Sequence, residues 1–179
     1  MSHALKFRSG YGAITAADVV AKGEQNDCVV RAFMNAAQIT YTAAHRIVAD
    51  TFGRKPGHGT FGTIHTLKKV IDEGAIIIPG RRIECLGTSI RVGDFTKAEA
   101  AEKGYLVNPK YPKGQGRFAP FTVGKFLQQH TTGAYIVIVK GHALAIRDGI
   151  MYDNMDQLDR LFMTTGRDQR HVVAAFKIA

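Results

Sequence analysis

The stretch AYIVIVKGHALAIRDGIMYDN, residues 134–154, decides how this chain folds. AYIVIVK, HALAIR and IMYDN read as three strands in succession, short and rich in β-branched and apolar residues. Asp148-Gly149 joins the second to the third. Asp-Gly between two such runs is a strong signal for a two-residue hairpin, because both turn residues must take positive φ.

Hairpin arithmetic then fixes which side chains meet. If the turn is two residues long, Arg147 pairs with Ile150 and His142 lies opposite Met155. Asp153 then sits diagonally from His142 on the same face of the ladder. A three-residue turn with a bulge shifts the register by one and brings Asn154 across instead. In either register a histidine at the start of a strand, just after Gly141, has an acceptor within reach. The glycine is read as leaving room beside the ring.

Outward from this stretch the periodicity changes. RHVVAAFKI closes the chain as a further strand, with Val172, Ala174, Phe176 and Ile178 expected on one face. Phe121 to His130 reads as a short helix that Thr122 can cap. Toward the N-terminus the apolar residues recur at helical spacing. Residues 28–38 carry Val30, Phe33, Met34 and Ala37; Thr42 to Phe52 carries Ala44, Ile47 and Val48 and is stopped by Gly53. A third helix follows Thr60 or Thr63, with Ile64, Leu67 and Ile71, and ends at Gly74. Between the halves, IIIPGRRIECL reads as short strands around a Pro-Gly turn, AEAAEKG as a turn or two of helix, and NPKYPKGQGRFAP as a basic loop. Helices first and an antiparallel sheet afterwards define an α+β domain.

The chain has 179 residues, 45% of them hydrophobic and 22% charged, which fits one domain spanning residues 1–179. Its helical half covers about residues 26–75 and its β half about 131–179. The first residues lack the apolar core of a signal peptide, and no apolar run reaches the ~20 residues needed to span a bilayer, so a cytoplasmic location is expected. Two cysteines, Cys28 and Cys85, are expected as thiols there. The histidines show no metal-binding spacing, and no metal is expected. A formal charge of +9 is compatible with a basic surface, an acidic partner or nucleic acid. No nucleic-acid-binding motif accompanies it, so nucleic acid is not the expected partner; salt-dependent retention would mark it.

The residues that carry chemistry begin with GEQNDCVVRAFMNAAQ, 23–38. Asn26 and Asp27 are good N-cap residues and put Cys28 in the first turn of a helix. Unpaired amides and the helix dipole favour negative charge there. An ordinary thiol is only about 3% thiolate at neutral pH, and a helix start with a nearby imidazolium raises that fraction. The same amides can hold an oxyanion. Taken alone, Cys28 reads first as a buried apolar residue beside two valines. Cys85, in RRIECLG, lacks any capping signature and is read as core.

Cysteine at a helix start, then histidine, then an acid or amide on the next strand resembles the papain-like cysteine peptidases. The likeness rests on QNDCVVRA around Cys28, GHALAI around His142 and MYDN around Asp153, in chain order over residues 23–154. It is nearest to compact bacterial and phage members related to the bacteriocin-processing peptidases. The resemblance implies Cys28 as nucleophile, His142 as base and Asp153 as its orienter. An oxyanion glutamine about six residues before the cysteine is usual in the family. Lys22 stands there, so Gln25 or Asn26 would have to turn back into the site, and Gln25 is the expected one. Val29 replaces the usual glycine or tryptophan after the cysteine. The resemblance implies hydrolysis of a peptide or isopeptide bond with no cofactor, acting on a protein or peptide that the basic residues 110–117 would favour if acidic. The alternative is a papain-like binding module with little or no activity that sequesters another protein. Neither the substrate nor the oligomeric state can be read from the residues.

Overall fold

The computed structural model describes residues 6–9, 24, 26–60, 78, 80–88, 122–153 and 169–179. In chain order the described elements are β1 (Lys6–Ser9), α1 (Cys28–Ala37), α2 (Tyr41–Phe52), β2 (Ile83–Thr88), α3 (Val123–Gln129), β3 (Ala134–Val139), β4 (His142–Arg147), β5 (Ile150–Asp153) and β6 (Val172–Ile178). The strands form one sheet in the order β1-β5-β4-β3-β6-β2. Five of them, from β5 to β2, are antiparallel throughout. The domain is α+β, as expected. The sixth strand is an addition to that expectation: β1 lies parallel to β5 at one edge. Four residues of mixed polarity, KFRS, carry no period long enough to announce a strand.

Strand alternation divides the apolar residues between two cores. Ala134 and Ile136 of β3, Ala143 and Ala145 of β4, and Tyr152 of β5 join α1 and α2 on one face. Tyr135, Val137, Val139, Leu144, Ile146 and Met151 join Val123, Phe126 and Leu127 of α3 on the other. The face toward α1 is rich in alanine, on the helix (Ala32, Ala36, Ala37) as well as on the strands. Small side chains on both surfaces let helix and strand approach closely. Residues Val30 to Ala37 are all buried, so α1 is a core helix rather than a surface one.

Thr40 caps α2, its hydroxyl accepting from the Ala43 amide at 3.2 Å. Thr122 caps α3 in the same way, accepting from the Lys125 amide at 3.3 Å. Gly53 ends α2, its amide donating to the Ala49 carbonyl. The face assigned to β6 needs one correction. Ala174, Phe176 and Ile178 lie in the α1/α2 core, but Val172 lies in the α3 core. A bulge causes it: Ile138 pairs with Ala174 while Val139 pairs with Val172, so Val173 is an extra residue and the alternation flips.

The Pro-Gly turn before β2 closes through a bridge between Ile78 and Arg81. The expected third helix over Ile64 to Gly74, the AEAAEKG segment and the basic loop 108–120 lie outside the described residues. Among the described residues no helix is long and apolar enough to cross a membrane.

Candidate active site

The turn between β4 and β5 is two residues long. Arg147 pairs with Ile150, Ile146 with Met151 and Ala145 with Tyr152. Asp148 and Gly149 both take positive φ, 50° and 71°, the signature of a type I′ turn. This register puts Asp153 diagonal to His142, and the two side chains meet: His142 Nε2 lies 2.6 Å from Asp153 Oδ1. The Asp153 side chain is 1% exposed and the His142 ring 16%. A buried carboxylate thus holds one ring nitrogen and leaves Nδ1 for another partner.

The Cys28 thiol lies beside the same ring, close enough for each to shift the acidity of the other. Cys28 is the first residue of α1 and is partly buried. The backbone amides of Val29 and Ala143 lie near its sulfur and favour its charged form. One amide comes from the first turn of the helix, the other from the residue after His142. Two elements far apart in sequence therefore converge on one sulfur.

The helix start has an unusual feature. Asp27 occupies the N-cap position but makes no side-chain cap hydrogen bond, and its φ and ψ of −96° and 22° are not those of an ordinary cap. Its carboxylate accepts instead from Arg31 Nε at 2.8 Å and from the Tyr41 hydroxyl at 2.8 Å. The strongest local acceptor is thereby turned away from the first-turn amides. The expectation that Asp27 caps the helix holds for its position and not for its side chain.

Electrostatics follow from this geometry. Burial pushes the Cys28 thiol up, but the His142 hydrogen bond and charge and the two amides outweigh it, so the thiol is more acidic than usual. Burial pulls the His142 ring down. Its bonds to Asp153 and Cys28 outweigh that and raise it to about 9. Both shifts favour a thiolate–imidazolium pair near neutral pH.

Cys28, His142 and Asp153 lie together; Gln25 and Asn154, the other two candidates, lie outside the described residues, as does the basic loop. Asn26 is exposed and holds a left-handed backbone with φ 55°. Cys85, in β2, packs against the α1/α2 core as read. The glycine before His142 has a different role from the one inferred. A Cβ on Gly141 would meet nothing within 4 Å; what the site requires is its φ of 71° in the turn from β3 to β4. Sequence reasoning passed over Glu24, His45 and Arg54. Glu24 lies against both of the others, with His45 Nε2 at 2.7 Å and Arg54 Nη2 at 2.5 Å. No local pattern links positions 24, 45 and 54. The chain matches no protein-family model, no curated protein and no solved structure.

Proposed function

We propose that this chain is a papain-like cysteine hydrolase acting on a peptide or isopeptide bond. The observation that supports the reading is a single imidazole held between a buried carboxylate and a thiol at a helix start. The Cys28 thiolate attacks the carbonyl carbon, and the carbonyl π pair moves onto oxygen. First-turn amides of α1 donate hydrogen bonds to that oxyanion. Collapse of the intermediate breaks the C–N bond, and the leaving nitrogen takes the proton from His142. Water then attacks the thioester carbon and passes a proton to His142; collapse of that intermediate breaks the C–S bond, the pair leaves on Cys28 as thiolate, and the acid product departs with the ion pair restored. Asp153 keeps the ring in the required orientation throughout.

Alkylation by iodoacetamide, mapped separately at Cys28 and Cys85, tests this. Cys28 is expected to react at pH 6 at least tenfold faster than Cys85, and His142→Ala is expected to abolish the difference. Should Cys28 follow the profile of free cysteine, hydrolysis is ruled out and the domain is left with binding alone.

A further inference from the structure

Two carboxylates lie within the four residues before Cys28, and both are buried: Glu24 is 7% exposed and Asp27 3%. Glu24 is gripped from α2 and from the loop after it. Arg54 Nη2 donates to Oε2 at 2.5 Å, His45 Nε2 lies 2.7 Å from Oε1, and the Gly57 amide donates to Oε2 at 3.5 Å. Arg54 Nη1 lies 2.7 Å from the same His45 nitrogen, which closes a triangle of three groups. The Arg54 side chain is 0% exposed. The same loop reaches the chain again at Gly59, where a Cβ would stand 3.5 Å from Cβ of Asn26. Asn26 itself is held with positive φ, a conformation that disfavours any residue with a side chain.

We propose that Glu24, held by Arg54 and His45, is a positioning residue that fixes where Cys28 stands relative to His142; this rests on the hydrolase reading above. The argument is one of placement. A buried Glu–Arg pair adds little net stability compared with an apolar replacement, because desolvation offsets its attraction. It does confine its atoms, since any shift exposes a buried charge without its partner. Glu24 is four residues from the thiol and sets where the chain enters α1, so its release shifts the thiol by a fraction of that span while Asp27 stays held. A reacting group displaced by about 1 Å loses much of its advantage. Glu24 thus anchors the approach to α1, while Arg31 and Tyr41 hold Asp27 directly beside the thiol.

The test compares the pH profile of Cys28 alkylation in wild type, Glu24→Gln, Arg54→Lys and Val48→Ala, at a temperature where circular dichroism shows each folded. Arg54→Lys keeps the charge but loses the two-pronged grip, and it carries the test if Glu24→Gln does not fold. Val48, in the same core on α2 and 0% exposed, controls for loss of stability alone. The cluster variants are expected to raise the midpoint by about one pH unit, roughly tenfold less reaction at pH 6. Val48→Ala is expected to keep the wild-type profile. The proposal is overturned if the cluster variants keep that profile while melting earlier, or if Val48→Ala shifts it equally. A wild-type Cys28 that behaves as free cysteine would instead overturn the hydrolase reading, and this inference with it.

Discussion

At the scale of single residues, the site depends on where two carboxylates point. Asp153 faces the ring of His142, and Asp27 faces away from the amides it would ordinarily cap. The first, together with Cys28, raises the ring to about 9; the second leaves the helix start without a side-chain cap from Asp27. Signs follow for pH. His142 is raised in the folded state, so the stability it lends is complete below its ordinary 6.5 and lost as pH rises through about 9. Cys28 is lowered, so its contribution is present above its ordinary 9.0 and lost as pH falls through its folded value. The reactive ion pair occupies the window between the two folded values. Asp153→Asn should narrow that window from both sides. Its proton-donor limb should move from about 9 toward 6.5, and the onset of Cys28 reactivity should move up. Rates of alkylation and hydrolysis measured from pH 5 to 10 read both limbs; an unmoved upper limb would remove Asp153 from the site.

At the scale of elements, α1 is tied to β4 at both ends. Cys28 meets His142 at the start of the strand, and the carbonyl of Asn35, in the last turn of the helix, accepts from Arg147 Nη1 at 3.0 Å at the strand's end. Helix and strand therefore run in the same direction. Arg147 supplies a cation to a helix C-terminus that has no basic residue of its own, while its other nitrogen donates to the Tyr152 hydroxyl at 2.9 Å. Arg147→Met keeps the length of the side chain and removes both bonds. A loss of about 1–3 kcal/mol is expected in urea unfolding, since two buried acceptors are left to find other donors. The turn before His142 is the second such constraint. Gly141→Ala places a Cβ in free space but at a φ of 71°, and a loss of about 1 kcal/mol is expected from that conformation. No change in melting would show that the turn takes another form. These elements were legible because their signals are local: Asp148-Gly149 sets the turn, the turn sets the register, and the register brings Asp153 to His142. The bulge at Val173 was not legible. Its cause is pairing with β3, and the segment VVAAF reads as an unbroken strand.

At the scale of the whole molecule, one sheet separates two cores, with α1 and α2 on one side and α3 on the other. The candidate site lies where the start of α1 meets the start of β4. The three described helices, five of the six described strands and the Cys28–His142–Asp153 grouping could be read from the residues. The edge strand β1 could not, since its place beside β5 is decided by a partner some 140 residues away. Glu24, His45 and Arg54 escaped for the same reason: a buried charge is recognisable only once its partners are brought to it.

The reactive pair requires His142 to be an imidazolium shared between Asp153 and Cys28. Nitrogen-15 NMR of the histidine rings, followed from pH 5 to 10, measures this directly. The His142 ring should remain protonated through pH 7 and titrate near 9, and Cys28→Ala should lower that midpoint. A ring that titrates near 6.5 in wild type, and does so equally without the thiol, would contradict the account.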